Sequence, residues 1–358
     1  MATTGRTAQS TERDAESVLV DAEFLSVVAA PFGGSVAAAA MLAGACAQRD
    51  VPYQVRVSRS APSAPAAGDA SLVAVGSESP EADAVFVDDA ANEAFAAAEA
   101  VGADPDPVVA FAGALADGVE PSSDVREAAG LMRRPGVGVP TADLAAGLAY
   151  STRMHASFSG DEQAAGAVLA GLDLPVELDE SAQRRLASVV ALDATEDATA
   201  RGAERVADVL RPHETPEGVF ETVEGSADVL SAVAWDAPGL GVALALGQVD
   251  GPAALDAWRS HATAAHEAVR RADPSRYSGV EVVDVEDAHP TVARLVRDYR
   301  ASEDAVLAVG DGAAALATTD ADARAVLPDS VGTSTLAVAE TTDADQDVDL
   351  VETVRGGL

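Results

Sequence analysis

The densest run of side chains able to do chemistry is Ser151-Thr152-Arg153-Met154-His155, continued by Ser157, Ser159, Gly160 and Asp161. Hydroxyls, amides beside glycine and a guanidinium can together hold a phosphate. A loop that caps its flanking helices uses the same residue types, so both readings stand. A Ser159/His155/Asp161 hydrolase is not supported, because there is no Gly-x-Ser-x-Gly elbow and closeness in sequence does not make a triad. The five histidines (155, 213, 261, 266 and 289) are dispersed. His261 and His266, five apart on a predicted helix, do not share a face as an i, i+4 pair would. They are expected to be solvated or capping. Gly136-Val137-Gly138 and Gly239-Leu240-Gly241 carry only fragments of a dinucleotide fingerprint.

The elements that must position these groups are readable from periodicity. FLSVVAA (24–30) reads as a buried strand, followed by the turn Pro31-Phe32-Gly33-Gly34 and an alanine-rich helix over 35–48. VPYQVRVS (51–58) alternates with period two; SLVAVG (71–76) and ADAVFVD (82–88) read as further strands. Strand, crossover helix and strand at this spacing predict a parallel α/β sheet. From about 90 to 272 the chain is helical, with TADLAAGLAY (141–150) capped by Thr141 and SAQRRLASVVAL (181–192) amphipathic. A long helix over 251–273 leads to a second β-rich block, where Gly310-Asp311-Gly312 is a hairpin turn. The expected organisation is a disordered tail over 1–17, an α/β and helical domain over 18–250, a connecting helix over 251–273, a smaller α/β domain over 274–340 and a frayed acidic tail over 341–358.

All 23 basic residues are arginine, against 59 aspartates and glutamates, giving a net charge of -36. Such self-repulsion is tolerable in molar salt, where the Debye length shrinks to about 3 Å. Lysine chemistry is excluded: no P-loop lysine and no Schiff base. Cys46 is alone and lies in an apolar run, which fits a small buried hydrophobe and a reducing, cytoplasmic compartment. The polar N-terminus carries no signal peptide, and no run reaches the ~18 apolar residues of a membrane helix. Candidate nucleic-acid contacts are Arg133-Arg134, Arg184-Arg185, the cluster Arg270, Arg271 and Arg276, and Arg294, Arg297 and Arg300 along one helical strip. Surface ion pairs are the alternative for each.

The segment from Phe24 to Arg59 resembles the opening of the DHH phosphoesterase superfamily, in its archaeal RecJ-like branch. There a strand ends in a His-x-Asp-x-Asp-Gly turn, followed by an alanine-rich helix and a strand resembling VPYQVRV. Here the turn reads Ala29-Ala30-Pro31-Phe32-Gly33-Gly34. The final glycine, Gly34, survives; the histidine is Ala29 and the two aspartates are Pro31 and Gly33. RRPGVGVPTADLAAGLAYSTRMHASFSGD (133–161) is also similar to haloarchaeal members.

The resemblance implies an N-terminal DHH-like parallel-sheet domain with a helical extension, and a C-terminal domain like the family's second, DHHA1-like domain. Two-metal phosphoesterases need several carboxylate and imidazole ligands, and alanine, proline and glycine offer none. No Asp-His-His signature is present, and Gly310–Ala315 is a poor substitute for a glycine-rich phosphate motif. The implied function is a catalytically degenerate accessory subunit of a nuclease or of a replication or repair complex. It would need no cofactor, and its partners would be an active RecJ-like paralogue and single-stranded DNA or RNA, with no membrane. A RecJ-like accessory subunit of the eukaryotic replicative helicase is a precedent in kind. The nucleic-acid contacts would then fall to Arg133, Arg134, Arg153, His155, Ser157 and Ser159. The alternative is an active 5′-exonuclease holding Mn2+ or Mg2+ through Asp88 and Asp89, with Asp104, Asp106 and His155 completing a rearranged site.

Overall fold

Nearly every residue of the alanine-rich run from Gly33 to Gln48 is buried, which explains why it shows no amphipathic period. It is the central helix of an N-terminal α/β layer. The computed structural model describes residues 15–341 and 346–358, apart from 65, 67, 176, 177 and 197. In chain order the first layer contains α1 (Ala15–Asp21), β1 (Leu25–Ala29), α2 (Gly33–Gln48), β2 (Tyr53–Val57), β3 (Ser71–Val75), β4 (Ala84–Phe86), α3 (Ala90–Ala100), α4 (Pro107–Ala116) and α5 (Ser123–Ala129). All four strands are parallel, in the order β2-β1-β3-β4. β1 leads through α2 to β2 on one side and has β3 on the other, so the strand order reverses between β1 and β3. In open α/β sheets such a switch point, at the carboxyl ends of the strands, is where ligands bind.

The middle of the chain is helical: α6 (Leu144–Tyr150), α7 (Glu162–Ala170), α8 (Glu180–Thr195), α9 (Ala200–Val209), α10 (Val223–Asp236), α11 (Pro238–Ala245) and α12 (Gly251–Arg271). The cap of α6 is Asp143, not Thr141: the Asp143 carboxylate accepts from the Ala145 and Ala146 amides, while Thr141 Oγ1 accepts from Asp143 N. A carboxylate at the positive end of a helix outcompetes a hydroxyl two residues upstream.

The C-terminal block holds β5 (Ser275–Tyr277), β6 (Val280–Asp284), α13 (His289–Tyr299), β7 (Ala305–Gly310), β8 (Ala313–Thr318), α14 (Ala323–Val326), β9 (Val331–Gly332), β10 (Leu336–Ala339) and α15 (Gln346–Gly357). Its sheet runs β5-β6-β7-β8-β10-β9, with β6 and β7 parallel across α13. The register pairs Gly310 with Ala313, leaving Asp311-Gly312 as the turn, and Gly312 takes φ +78°. The fold class is as the sequence indicates, with two differences at the ends. Residues 346–357 are helix rather than frayed tail, with Val354 buried. Residues 15–17 belong to α1, and the rest of the expected N-terminal tail lies outside the described residues. Among the described residues no helix is long and apolar enough to cross a membrane.

Candidate functional site

The turn that carries the family resemblance sits at the carboxyl end of β1, at the switch point. Ala30 N donates to Val75 O (2.8 Å), which holds the ends of β1 and β3 together. Ala29 and Ala30 are buried, and Phe32 is only 6% exposed. Phe32 packs into a core shared with Val331 and Val338 of the C-terminal sheet. A Cβ on Gly332 would lie 2.9 Å from the Phe32 ring, and Gly332 N donates to Gly76 O (2.6 Å) just beyond β3. The crevice is therefore closed by an aromatic ring and a backbone hydrogen bond from the C-terminal domain.

The turn's two glycines are needed for packing. A Cβ on Gly33 would meet Ala116 Cβ at 2.6 Å, and one on Gly34 would meet Asp117 Oδ2 at 2.2 Å. The end of α4 thus lies against the start of α2, where Asp117 Oδ1 accepts from Gly34 N (2.9 Å). Burial pushes the Asp117 carboxyl up to about 7, against the lowering pull of that amide. A raised folded-state pKa favours folding below the unfolded value near 4, and that contribution is lost as pH rises through 7. Asp117→Asn keeps an acceptor for Gly34 without a charge. The variant is expected to exceed the parent's stability by about 1–2 kcal/mol above pH 7.5 and to lose the gain near pH 4. Urea titrations of both proteins at the two pH values measure this.

The residues at the switch point do not fit a metal pair. Among the described residues no group of three or more His, Cys, Asp or Glu side chains could hold a metal ion. Asp88, two residues beyond β4, pairs with Arg324 Nη2 of α14 (2.7 Å), a second link between domains. Asp89 Oδ1 accepts from Asn92 Nδ2 (2.6 Å), and burial raises its pKa. Asp104 exchanges hydrogen bonds with Gln48 through its main chain, at the far end of α2. Sixteen residues of helix put that end about 22 Å from Gly33. Asp106 caps α4 through Val108 N. The structure does not bring Asp88 and Asp104 together.

What the cleft does contain is arginine. A cavity of about 100 Å³ is lined by Pro31, Phe32 and Gly33 on one side and by Thr333, Thr335 and Leu336 on the other. Arg153, Arg205, Arg294 and Arg297 also line it, against Asp117, Asp208 and Asp228. Four guanidiniums to three carboxylates is a local reversal in a chain with 59 acids and 23 arginines. Main-chain carbonyls hold two of these arginines: Arg153 Nη1 donates to Leu115 O (3.1 Å) and Arg294 Nη2 to Thr152 O (2.8 Å). Arg153 Nε is buried without a partner. Thr152 is itself fixed by Asp228, whose Oδ2 accepts from Thr152 N (3.0 Å). Arg297 is bound to Asp298 (2.7 Å) and to Thr318 O (2.6 Å). Burial lowers the pKa of both Arg294 and Arg297, with Asp298 opposing. The first turn of α13, with no side-chain cap, brings Pro290 and Thr291 to the same cavity. A hollow of about 330 Å³ shares Arg205, Asp208, Arg297 and Thr335 with the cleft and adds Arg201, Glu204 and Asp298, so there arginines and carboxylates balance.

The 151–161 run divides between two places. Arg153 faces the cleft. His155 and Ser157 line a separate pocket. Ser159 is buried and accepts from Ala156 N (3.0 Å), while Asp161 caps α7. Arg133 and Arg134 are exposed, and Arg134 pairs with Glu214 (2.7 Å). Arg184, Arg271 and Arg276 likewise form ion pairs, whereas the Arg294–Arg297 strip lines the cleft.

The histidines correct the sequence reading. His261, His266 and His289 are buried rather than solvated. His261 bridges Asp236 (2.9 Å) and Thr291 (2.8 Å), and neither ring nitrogen of His289 has a hydrogen-bond partner among the described residues. Thr333 and Thr335 drew no notice in the sequence, and only their Gly-Thr-Ser-Thr turn before a strand could have flagged them.

Residues 272–356 match the family model described as "Uncharacterized protein rrnAC1427, C-terminal domain". The whole chain is 42% identical over 351 residues to the uncharacterized protein rrnAC1427 of Haloarcula marismortui, covering 93% of this chain and 94% of that one. Among solved structures, CDC45 from Entamoeba histolytica aligns over 96% of both chains with a TM-score of 0.58 at 7% identity. RecJ from Thermus thermophilus in complex with Mn2+ aligns over 98% of this chain and 55% of its own, with a TM-score of 0.42 at 13% identity. The chain belongs to the family of the Haloarcula marismortui protein rrnAC1427, and it shares the fold of CDC45 from Entamoeba histolytica.

Proposed function

We propose that the protein is a non-catalytic RecJ-like subunit of a nuclease or of a replication or repair complex, holding a single strand by its phosphates without cutting it. The observation that supports this is the filled switch point: Ala29, Pro31 and Gly33 offer no side-chain ligand there, and the Phe32 ring packs against Gly332. The arginine-lined cleft supports the second half of the reading. At molar salt the counterion-release contribution to strand binding is nearly exhausted, so fixed guanidiniums that meet phosphate oxygens directly matter most. Arg153 and Arg294 are held by carbonyls and have no ion-pair partner among the described residues.

The test uses the intact protein in molar potassium chloride with manganese and 5′-labelled single-stranded DNA and RNA. No label is expected to be released. Trp235 lines the cleft while Trp258 is fully buried, so strand binding should change Trp235 fluorescence. Arg294→Gln is expected to weaken strand binding about tenfold, as loss of one charge-assisted contact implies. Label release abolished by Asp88→Ala would overturn the proposal. Co-purification should recover a paralogue bearing the intact Asp-x-Asp-Gly and Asp-His-His motifs.

A further inference from the structure

The pocket beside His155 has a volume of about 530 Å³ and shares no lining residue with the cleft. Two of its walls are Arg270 and Arg300. Neither pairs with a carboxylate among the described residues, although acids outnumber arginines by more than two to one. Both are nonetheless fixed: Arg270 Nη1 donates to Ser159 O, and Arg300 Nη1 donates to Val269 O and, at 3.4 Å, to Arg270 O. The neighbouring Arg271, by contrast, is satisfied by Glu267. The loop is shaped around Arg270. Gly160 takes φ +77°, and a Cβ there would sit 3.2 Å from Arg270 Nη2 and 3.2 Å from His266 Cβ.

The third wall is aromatic. His266 Nε2 donates to Ser151 O (3.0 Å), so its Nδ1 accepts from His155 Nδ1 (3.0 Å). His155 is left with Nε2 as a free acceptor. Burial, helped by Arg270 and Arg300, lowers the His155 pKa to about 4, so the ring is neutral. Tyr299 meets it edge to face, with centroids 6.0 Å apart, and its hydroxyl is buried beside the His155 main chain. The fourth wall is acidic, with Asp193 and Glu196: Ser157 N and Oγ each donate to Asp193 at 2.8 Å, which orients a carboxylate still able to accept more.

Paired guanidiniums suit an oxyanion, an imidazole–phenol pair suits a planar ring, and an oriented carboxylate accepts from ring N–H groups. The volume lies within the roughly 300–1,000 Å³ of small-molecule sites. We propose that this pocket binds a mononucleotide, either free or as one nucleotide of a strand. The proposal does not rest on the cleft reading.

Adenosine monophosphate, adenosine, inorganic phosphate and a 5′-phosphorylated single-stranded oligonucleotide would each be titrated calorimetrically into the intact protein at fixed ionic strength. The monophosphate is expected to bind at least about tenfold more tightly than adenosine or phosphate alone. Arg300→Gln, a change at an exposed residue, should weaken that binding about tenfold. Arg126→Gln, at an exposed residue paired with Glu120 outside both sites, should leave it unchanged. Oligonucleotide binding that exceeds the monophosphate's and falls with Arg300→Gln identifies the strand as the source; binding of the monophosphate alone identifies the free nucleotide. Monophosphate binding that is absent at millimolar concentration, no tighter than inorganic phosphate, or indifferent to Arg300→Gln overturns the proposal.

Discussion

Replacing Phe32 with alanine is expected to cost about 3–5 kcal/mol and to lower the melting temperature by about 5 °C. The ring is buried in a core that no neighbour can refill, because the position facing it is Gly332, whose missing Cβ already marks the limit of approach. The same substitution should loosen the cleft, since Phe32 is one of its walls. Differential scanning calorimetry measures the first effect, and faster hydrogen exchange at the Gly332 amide, which is bonded to Gly76 O, measures the second. An unchanged melting temperature would mean that the ring is not a structural plug.

The second large effect is a failure to regain chemistry. Introducing the ligands of the DHH-type turn that this segment resembles, with Ala29→His, Pro31→Asp and Gly33→Asp, is expected to give no manganese-dependent strand cleavage and a protein several kcal/mol less stable. Ala29 is 1% exposed, so a histidine there would overpack the strand's buried face. At position 33 the first side-chain carbon would stand 2.6 Å from Ala116 Cβ and 3.2 Å from Ser231 Oγ. Overpacking of this kind costs roughly 1–3 kcal/mol at each position. Calorimetric manganese titration and a labelled-strand assay on the triple variant decide the matter. Tight manganese binding with an undiminished melting temperature would show that room for the ions persists.

What the sequence disclosed was local. The strand over Leu25–Ala29, the glycine turn and the buried alanine helix are encoded within one continuous stretch, as is the lack of ligands at Ala29, Pro31 and Gly33. The parallel sheet follows from strand spacing alone. Of the cleft arginines, Arg294 and Arg297 were visible in a strip and Arg153 in the 151–161 run, but not their direction, and nothing in the sequence singled out Arg205. In a chain so rich in carboxylates, an ion pair is the default fate of any arginine, and Arg184, Arg271 and Arg276 meet it. Arg294 escapes because α13 packs it against Thr152 from a segment more than a hundred residues away. Long-range pairing also explains the buried histidines: His266 is matched by His155 and Ser151, and His261 by Asp236 and Thr291. Helix periodicity cannot reveal such partners. The acidic C-terminus was misleading for the opposite reason, since composition hid Val354, which anchors α15.

The core that receives Phe32 also holds Leu148, Phe158 and Leu186 from the middle of the chain and Val283, Leu295 and Val306 from the C-terminal block. Its side chains lie on both sides of residue 272, where the family model begins. The stretch recognisable as a module by descent has a core of its own around Leu307, Leu316 and Leu327, yet it shares this second one with the rest of the chain. Severed at that point, each fragment would expose the shared interior to water. Inheritance and cooperativity draw different boundaries in this chain, and heat should follow the second by melting it as one body.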